Sequence, residues 1–114
     1  MKMTLTELDC LTLFENEPER AFGDNWFDSS NIYQISYANN LRLSCAIYPI
    51  HKDVRIMISL DEVTLVDIEF IDVEKIKYNE NPIESLTISD INGSDWRLTV
   101  KPFPVLKKLE NTST

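Results

Sequence analysis

The chain has 114 residues, 43% apolar and 26% charged, with a formal net charge of −8. That length and apolar content describe one globular domain over 1–110, not a disordered chain. The acidic field excludes direct nucleic-acid binding, because it repels phosphate, and no apolar run approaches the roughly 20 residues of a membrane span. The first ten residues carry Glu7 and Asp9 and no continuous apolar stretch, so no secretory leader is read there and the cytoplasm is the expected compartment.

In the N-terminal segment, Leu5, Leu8 and Leu11 recur every three residues, and Thr6 with Asp9 forms a candidate capping pair. This favours a short helix over 6–15, although Thr4, Thr6 and Thr12 suit a strand as well. Pro18 ends whatever precedes it, because proline lacks an N–H and restricts the residue before it. Residues 15–31 read as a long acidic loop, with Phe22, Trp26 and Phe27 expected to pin it against the core.

From Ile32 onward the period is two. Tyr33, Ile35 and Tyr37 alternate with smaller or polar residues, and so do Leu41, Leu43, Cys45 and Ile47. Asn39-Asn40 between them predicts a two-residue turn and a hairpin. Val54, Ile56, Ile58 and Leu60 form a third set. After a polar break at Asp61-Glu62, Leu65, Val66, Ile68 and Phe70 continue, with Asp67 and Glu69 outward. The density of β-branched residues over 54–70 suits a well-paired place in a sheet. Residues 71–78 fit either a strand or a turn of helix. Ile83, Leu86, Ile88 and Ile91 suggest another strand. Asn92-Gly93 marks its turn, Trp96, Leu98 and Val100 return, and Pro102 and Pro104 stop the ladder. No helical pattern lies between strands, which argues against parallel βαβ units. The expected fold is therefore mainly β: an antiparallel sheet of six or seven strands, as a sandwich or a curled sheet, with at most one short N-terminal helix. Residues 111–114 read as a disordered end.

Chemistry finds little purchase. His51 is the sole histidine and falls in a predicted loop, Gly23 and Gly93 are isolated, and Cys10 and Cys45 stand among apolar neighbours as buried, reduced thiols. No metal site and no cofactor are expected, since zinc would need more soft ligands than Cys10, Cys45 and His51 supply. The run 90–95 has the acids of a calcium loop but not the spacing. Asp67 and Glu69 lie roughly 6–7 Å apart along one strand face, a spacing that any polar strand face toward water produces. The domain is not read as an enzyme; a small carbohydrate-binding or hydrolase domain using that pair is the remotest alternative.

The charge is uneven. Residues 1–30 hold seven acids against Lys2 and Arg20, and residues 61–90 hold nine against Lys75 and Lys77. Such a field steers a basic protein toward it. The first block lies in a loop, so Glu15, Glu17, Glu19, Asp24 and Asp28, with Trp26 as an aromatic anchor, are the expected partner-binding residues.

The residues Leu13-Phe14, Pro18, the strands at 32–38 and 41–47, and the stretch 66–73 together resemble small all-β bacterial immunity-type proteins of polymorphic toxin systems. The resemblance is one of strand pattern over 13–100, and no residue role transfers with it. It implies a cytoplasmic protein that neutralises a cognate toxin by binding it. The leading expectation is a non-enzymatic protein-binding domain whose partner is a basic protein, a toxin by this resemblance, with no nucleic acid and no membrane. A structural or homo-oligomeric β domain is the alternative.

Overall fold

A computed structural model of the chain describes residues 2–110, with side chains from Thr4 to Glu110. The predicted loose end, 111–114, lies outside the described residues. The elements run β1 (Lys2–Met3), α1 (Glu7–Phe14), β2 (Glu19–Ala21), β3 (Ser30–Ser36), β4 (Leu41–Tyr48), β5 (Asp53–Leu60), β6 (Val63–Phe70), β7 (Lys75–Asn79), β8 (Ser85–Ser89), β9 (Asp95–Thr99) and β10 (Val105–Lys108). Two five-stranded sheets result, in the orders β2-β3-β4-β5-β6 and β1-β7-β8-β9-β10. Every neighbour is antiparallel except β1, which lies parallel to β7.

The chain is thus mainly β and antiparallel, with one short N-terminal helix. The strands among the described residues number ten rather than six or seven. β1, β2 and β10 have two, three and four residues, too few for alternation to show. The undecided stretch 71–78 holds β7, whose Ile76 is buried.

The period-two pattern becomes a sandwich core. Tyr33, Leu43, Cys45, Ile47, Val54 and Ile56 of the first sheet share one buried cluster with Ile76, Leu86, Ile88 and Leu98 of the second. Each such large aliphatic side chain stabilises the fold by about 1.5–3 kcal/mol. Phe70 and Trp96 meet edge-to-face across the gap with centroids 5.4 Å apart, and the Tyr37 hydroxyl donates to the Val100 carbonyl at 2.5 Å.

Thr6 caps α1, accepting from the Asp9 N–H at 3.1 Å while the Asp9 carboxylate accepts from the Thr6 N–H at 3.1 Å. The buried face of the helix is Cys10, Leu13 and Phe14, not the predicted leucine stripe, and Leu8 is 70% exposed. The hairpins also turn differently from expectation. Tyr37 and Leu41 are joined by the Tyr37 N–H to Leu41 carbonyl bond, which leaves three loop residues, 38–40, with Asn39 and Asn40 both left-handed. A two-residue turn would have put the two apolar runs on opposite faces. The two-residue turn falls instead at Asp61-Glu62, where Leu60 pairs with Val63 and both turn residues have positive φ.

Candidate functional site

The segment between β2 and β3 is a built loop. Trp26 is buried, and its indole N–H donates to the Tyr33 hydroxyl at 2.9 Å. The buried Asn31 amide nitrogen donates to the carbonyls of Trp26 (2.7 Å), Ser29 (3.0 Å) and Ile47 (3.1 Å). Three acceptors share two hydrogens, so the side chain ties the loop to β4 in a single arrangement. Asn25 and Asp28 close on each other through the Asn25 side-chain amide and the Asp28 N–H. Gly23 is required by close approach: a Cβ there would stand 2.6 Å from the Asp28 carbonyl oxygen.

The predicted anchors separate. Trp26 is inside, holding the loop, whereas Phe22 and Phe27, expected against the core, are 84% and 51% exposed. Phe22 has φ 71°, a left-handed conformation that a bulky side chain rarely adopts. The acids divide as well. Glu15 ends α1 in a left-handed conformation and pairs with Lys101 at 2.8 Å. Glu7 pairs with Arg20. Glu17, Glu19, Asp24 and Asp28 are exposed and form no ion pair among the described residues.

Glu19 is part of the edge strand β2, and this joins it to the second acidic block. Across the first sheet, Glu19, Ile32, Ala46, Arg55 and Glu69 are successive Cα partners and so project from one face. This face is the outer one, since the odd-numbered residues of β3 and β4 fill the core. The row runs through a hollow of about 270 Å³, walled by Tyr48 and Asp53 as well as Ile32, Arg55 and Glu69. The Tyr48 ring meets His51 edge-on at 4.3 Å and lies nearly parallel to Phe22, with centroids 6.4 Å apart. Arg55 turns away to Asp67, donating from Nε at 2.9 Å and from Nη2 at 2.8 Å. Glu69 and Asp53 therefore have no ion-pair partner among the described residues. Burial, then the neighbouring Glu69, raises the Asp53 carboxyl above its ordinary value, with His51 acting the other way and Asp72 adding to it.

Other chemically suggestive residues are spent on structure. The fork from Arg55 holds Asp67 below the usual carboxylate range, which leaves it no proton to donate near neutral pH. Asp90 accepts from the N–H groups of Asn92 and Ser94, both at 2.9 Å, and from the Trp96 indole at 3.2 Å. Its carboxylate stabilises the turn at Gly93 that the sequence predicts. Cys10 and Cys45 are free and buried, with burial pushing the Cys10 thiol up to about 12, so neither presents a thiolate. Among the described residues no group of histidine, cysteine and acid side chains could hold a metal ion, and no helix is long and apolar enough to cross a membrane.

Tyr48 and Asp53 do not stand out in the sequence, and Phe22 is expected there against the core rather than on the surface. One signal was present: Tyr48 falls on the even, outward phase of β4, after Arg42, Ser44 and Ala46.

No family model and no curated protein matches this chain. Its fold is shared with a chain of a solved contact-dependent growth inhibition toxin–immunity protein complex from Klebsiella pneumoniae 342, with a TM-score of 0.76 and 14% sequence identity over 92% of this chain and 93% of that one. This shared fold is consistent with the resemblance that the strand pattern bears to small immunity-type proteins.

Proposed function

We propose that this chain is a non-enzymatic, cytoplasmic binding protein of immunity type, which neutralises a cognate toxin by occluding a basic surface. The observation that carries the reading is that both acidic blocks contribute carboxylates to the outer face of the first sheet, one at each edge. Glu19 of the first and Glu69 of the second share one row of the first sheet, with Glu17 just before β2 and Asp24 and Asp28 on the loop that follows it. The fold shared with a chain of a toxin–immunity complex supports the choice of partner. Occlusion needs no reacting group; it needs charge of the right sign on a surface that does not rearrange.

The test is binding to a basic protein recovered with this chain from its own cell, followed by calorimetry at rising salt. The expected result is an affinity that falls with ionic strength and drops about tenfold or more when Glu15, Glu17, Glu19, Asp24 and Asp28 are reversed to lysine. Indifference to both would reject the surface. A second reading, a homo-oligomer, is favoured by one observation: the edge strand β6 exposes Val63 and Leu65. Sedimentation showing a tight dimer would select it.

A further inference from the structure

We propose that the hollow on the outer face of the first sheet receives one arginine side chain of the protein partner, stacked on Tyr48 and Phe22 and paired with Glu69 and Asp53. This deepens the reading above and rests on it.

The size of the hollow points to a side chain. Small-molecule sites usually occupy roughly 300–1,000 Å³ and enclose their ligand. This one is about 270 Å³ and lies open on a sheet face. Its chemistry points to a cation. Two carboxylates border it, and the one nearby guanidinium, that of Arg55, is already forked onto Asp67. Arg55 still acts on Glu69 through space but forms its ion pair elsewhere, so the hollow keeps negative charge that is only partly offset. Asp53 sits in that hollow partly desolvated and beside Glu69, at a cost that an arriving cation would relieve.

The aromatic rings point to arginine in particular. A planar guanidinium stacks on an aromatic face and still directs N–H groups sideways to carboxylates, whereas an ammonium offers a point charge. His51 fixes the Tyr48 ring from one side, and Phe22 lies parallel to it at 6.4 Å. Phe22 itself is held in a costly state, left-handed and 84% exposed. The loop that carries it is tied down by Asn31 and by the close packing at Gly23. Little of the ordering entropy of binding then remains to be lost at this site. The partner is a protein, not a free metabolite, because the surrounding face is broad and acidic and complements a basic surface.

The experiment is an NMR titration of the intact chain with a short acetylated peptide amide whose one charged residue is arginine. The same peptide with citrulline serves as the uncharged isostere. The proposal expects shifts centred on the Tyr48 and His51 rings, absent with citrulline. Phe22→Ala should weaken binding about fivefold, the size of one exposed cation–π contact. Because Phe22 is exposed, this variant keeps the fold, and its amide spectrum checks that. Shifts centred on Glu17 and Asp24, or binding unchanged by Phe22→Ala, would overturn it. The basic partner recovered above separates the two levels. Salt-dependent binding that ignores Phe22→Ala and Glu69→Gln sinks the receptor and leaves the acidic-partner reading standing. Loss of salt dependence sinks the broader reading.

Discussion

The two acidic blocks look alike in sequence and are used differently. In the second block two carboxylates are spent inside the molecule, Asp67 forked by Arg55 and Asp90 aimed at backbone N–H groups of its own turn, while Glu69 keeps no ion-pair partner among the described residues. Among the described residues, only Glu7 and Glu15 of the first block are matched by cations, and Glu17, Glu19 and Asp24 are exposed and unpaired. The loop of the first block is held by Asn31, Asn25 and Ser29, so Glu17, Glu19 and Asp24 are left free while the backbone is fixed. Formal charge per segment therefore says little about charge offered to a partner. What decides it is whether a carboxylate or an uncharged side chain does the local structural work.

The largest effect that would break this contrast is at Asn31. Replacing Asn31 with alanine removes the donor to three carbonyls in a buried setting. The expected cost is about 2–4 kcal/mol, seen as a lower urea midpoint with an unchanged slope. If the cost were only a few tenths, the loop would not be held as described. Gly23→Ala comes next. Its new Cβ meets backbone at Asp28, which cannot swing aside as a side chain could. About 1–3 kcal/mol of destabilisation is expected, with faster amide exchange over 24–29.

In the second block the matching test is Asp90→Ala, which should cost about 1–2 kcal/mol near neutral pH by leaving turn N–H groups unmet. Partial burial works to raise the Asp90 carboxyl, but the Ser94 N–H, the Trp96 indole and the Asn92 N–H, with Lys108, hold it below its ordinary value. A depressed folded value contributes stability above the unfolded value of about 3.9, and that stability is lost as pH falls through the folded value. The difference between wild type and Asp90→Ala in urea should accordingly shrink as the solution is acidified. A difference that grew in acid would contradict the assignment.

These residues also mark where the sequence was readable. The alternation of Leu43, Cys45 and Ile47 with Arg42, Ser44 and Ala46 reports directly which side faces the core, so the central strands and the antiparallel class were legible. The capping pair Thr6–Asp9 is local and was legible too. β2 was not, because Glu19-Arg20-Ala21 carries no apolar phase and forms only by pairing with β3. The helix face was misread for a related reason. Tyr33, nineteen residues beyond Phe14 along the chain, selects Cys10, Leu13 and Phe14 as the buried side, stacking on Phe14 at 4.5 Å. The candidate site was half legible. The acids of the loop are evident from composition, but the sequence leaves Trp26 either pinning the loop to the core or anchoring a partner, and it is buried with its indole bound to Tyr33. Whether an aromatic beside acids points in or out is a tertiary outcome. That Phe22 is exposed and faces Tyr48 follows only from the register that brings β2 and β4 to the same end of the sheet.

The smallest effect is the most diagnostic, because its sign is unusual. Phe22 occupies a left-handed conformation that costs an L-residue with a large side chain about 1 kcal/mol or more and costs glycine almost nothing. Against this stands one stacking contact with Tyr48, on the surface. Phe22→Gly should therefore stabilise the fold, by about 0.5–1 kcal/mol in urea, since backbone relief exceeds the loss of an exposed ring contact. The same variant should bind the arginine peptide more weakly. A residue whose removal strengthens the fold and weakens recognition is kept for recognition. If Phe22→Gly instead destabilised the chain, the ring would be part of the packing of the loop, and the contrast between a fixed backbone and an offered surface would fail at the residue where it is sharpest.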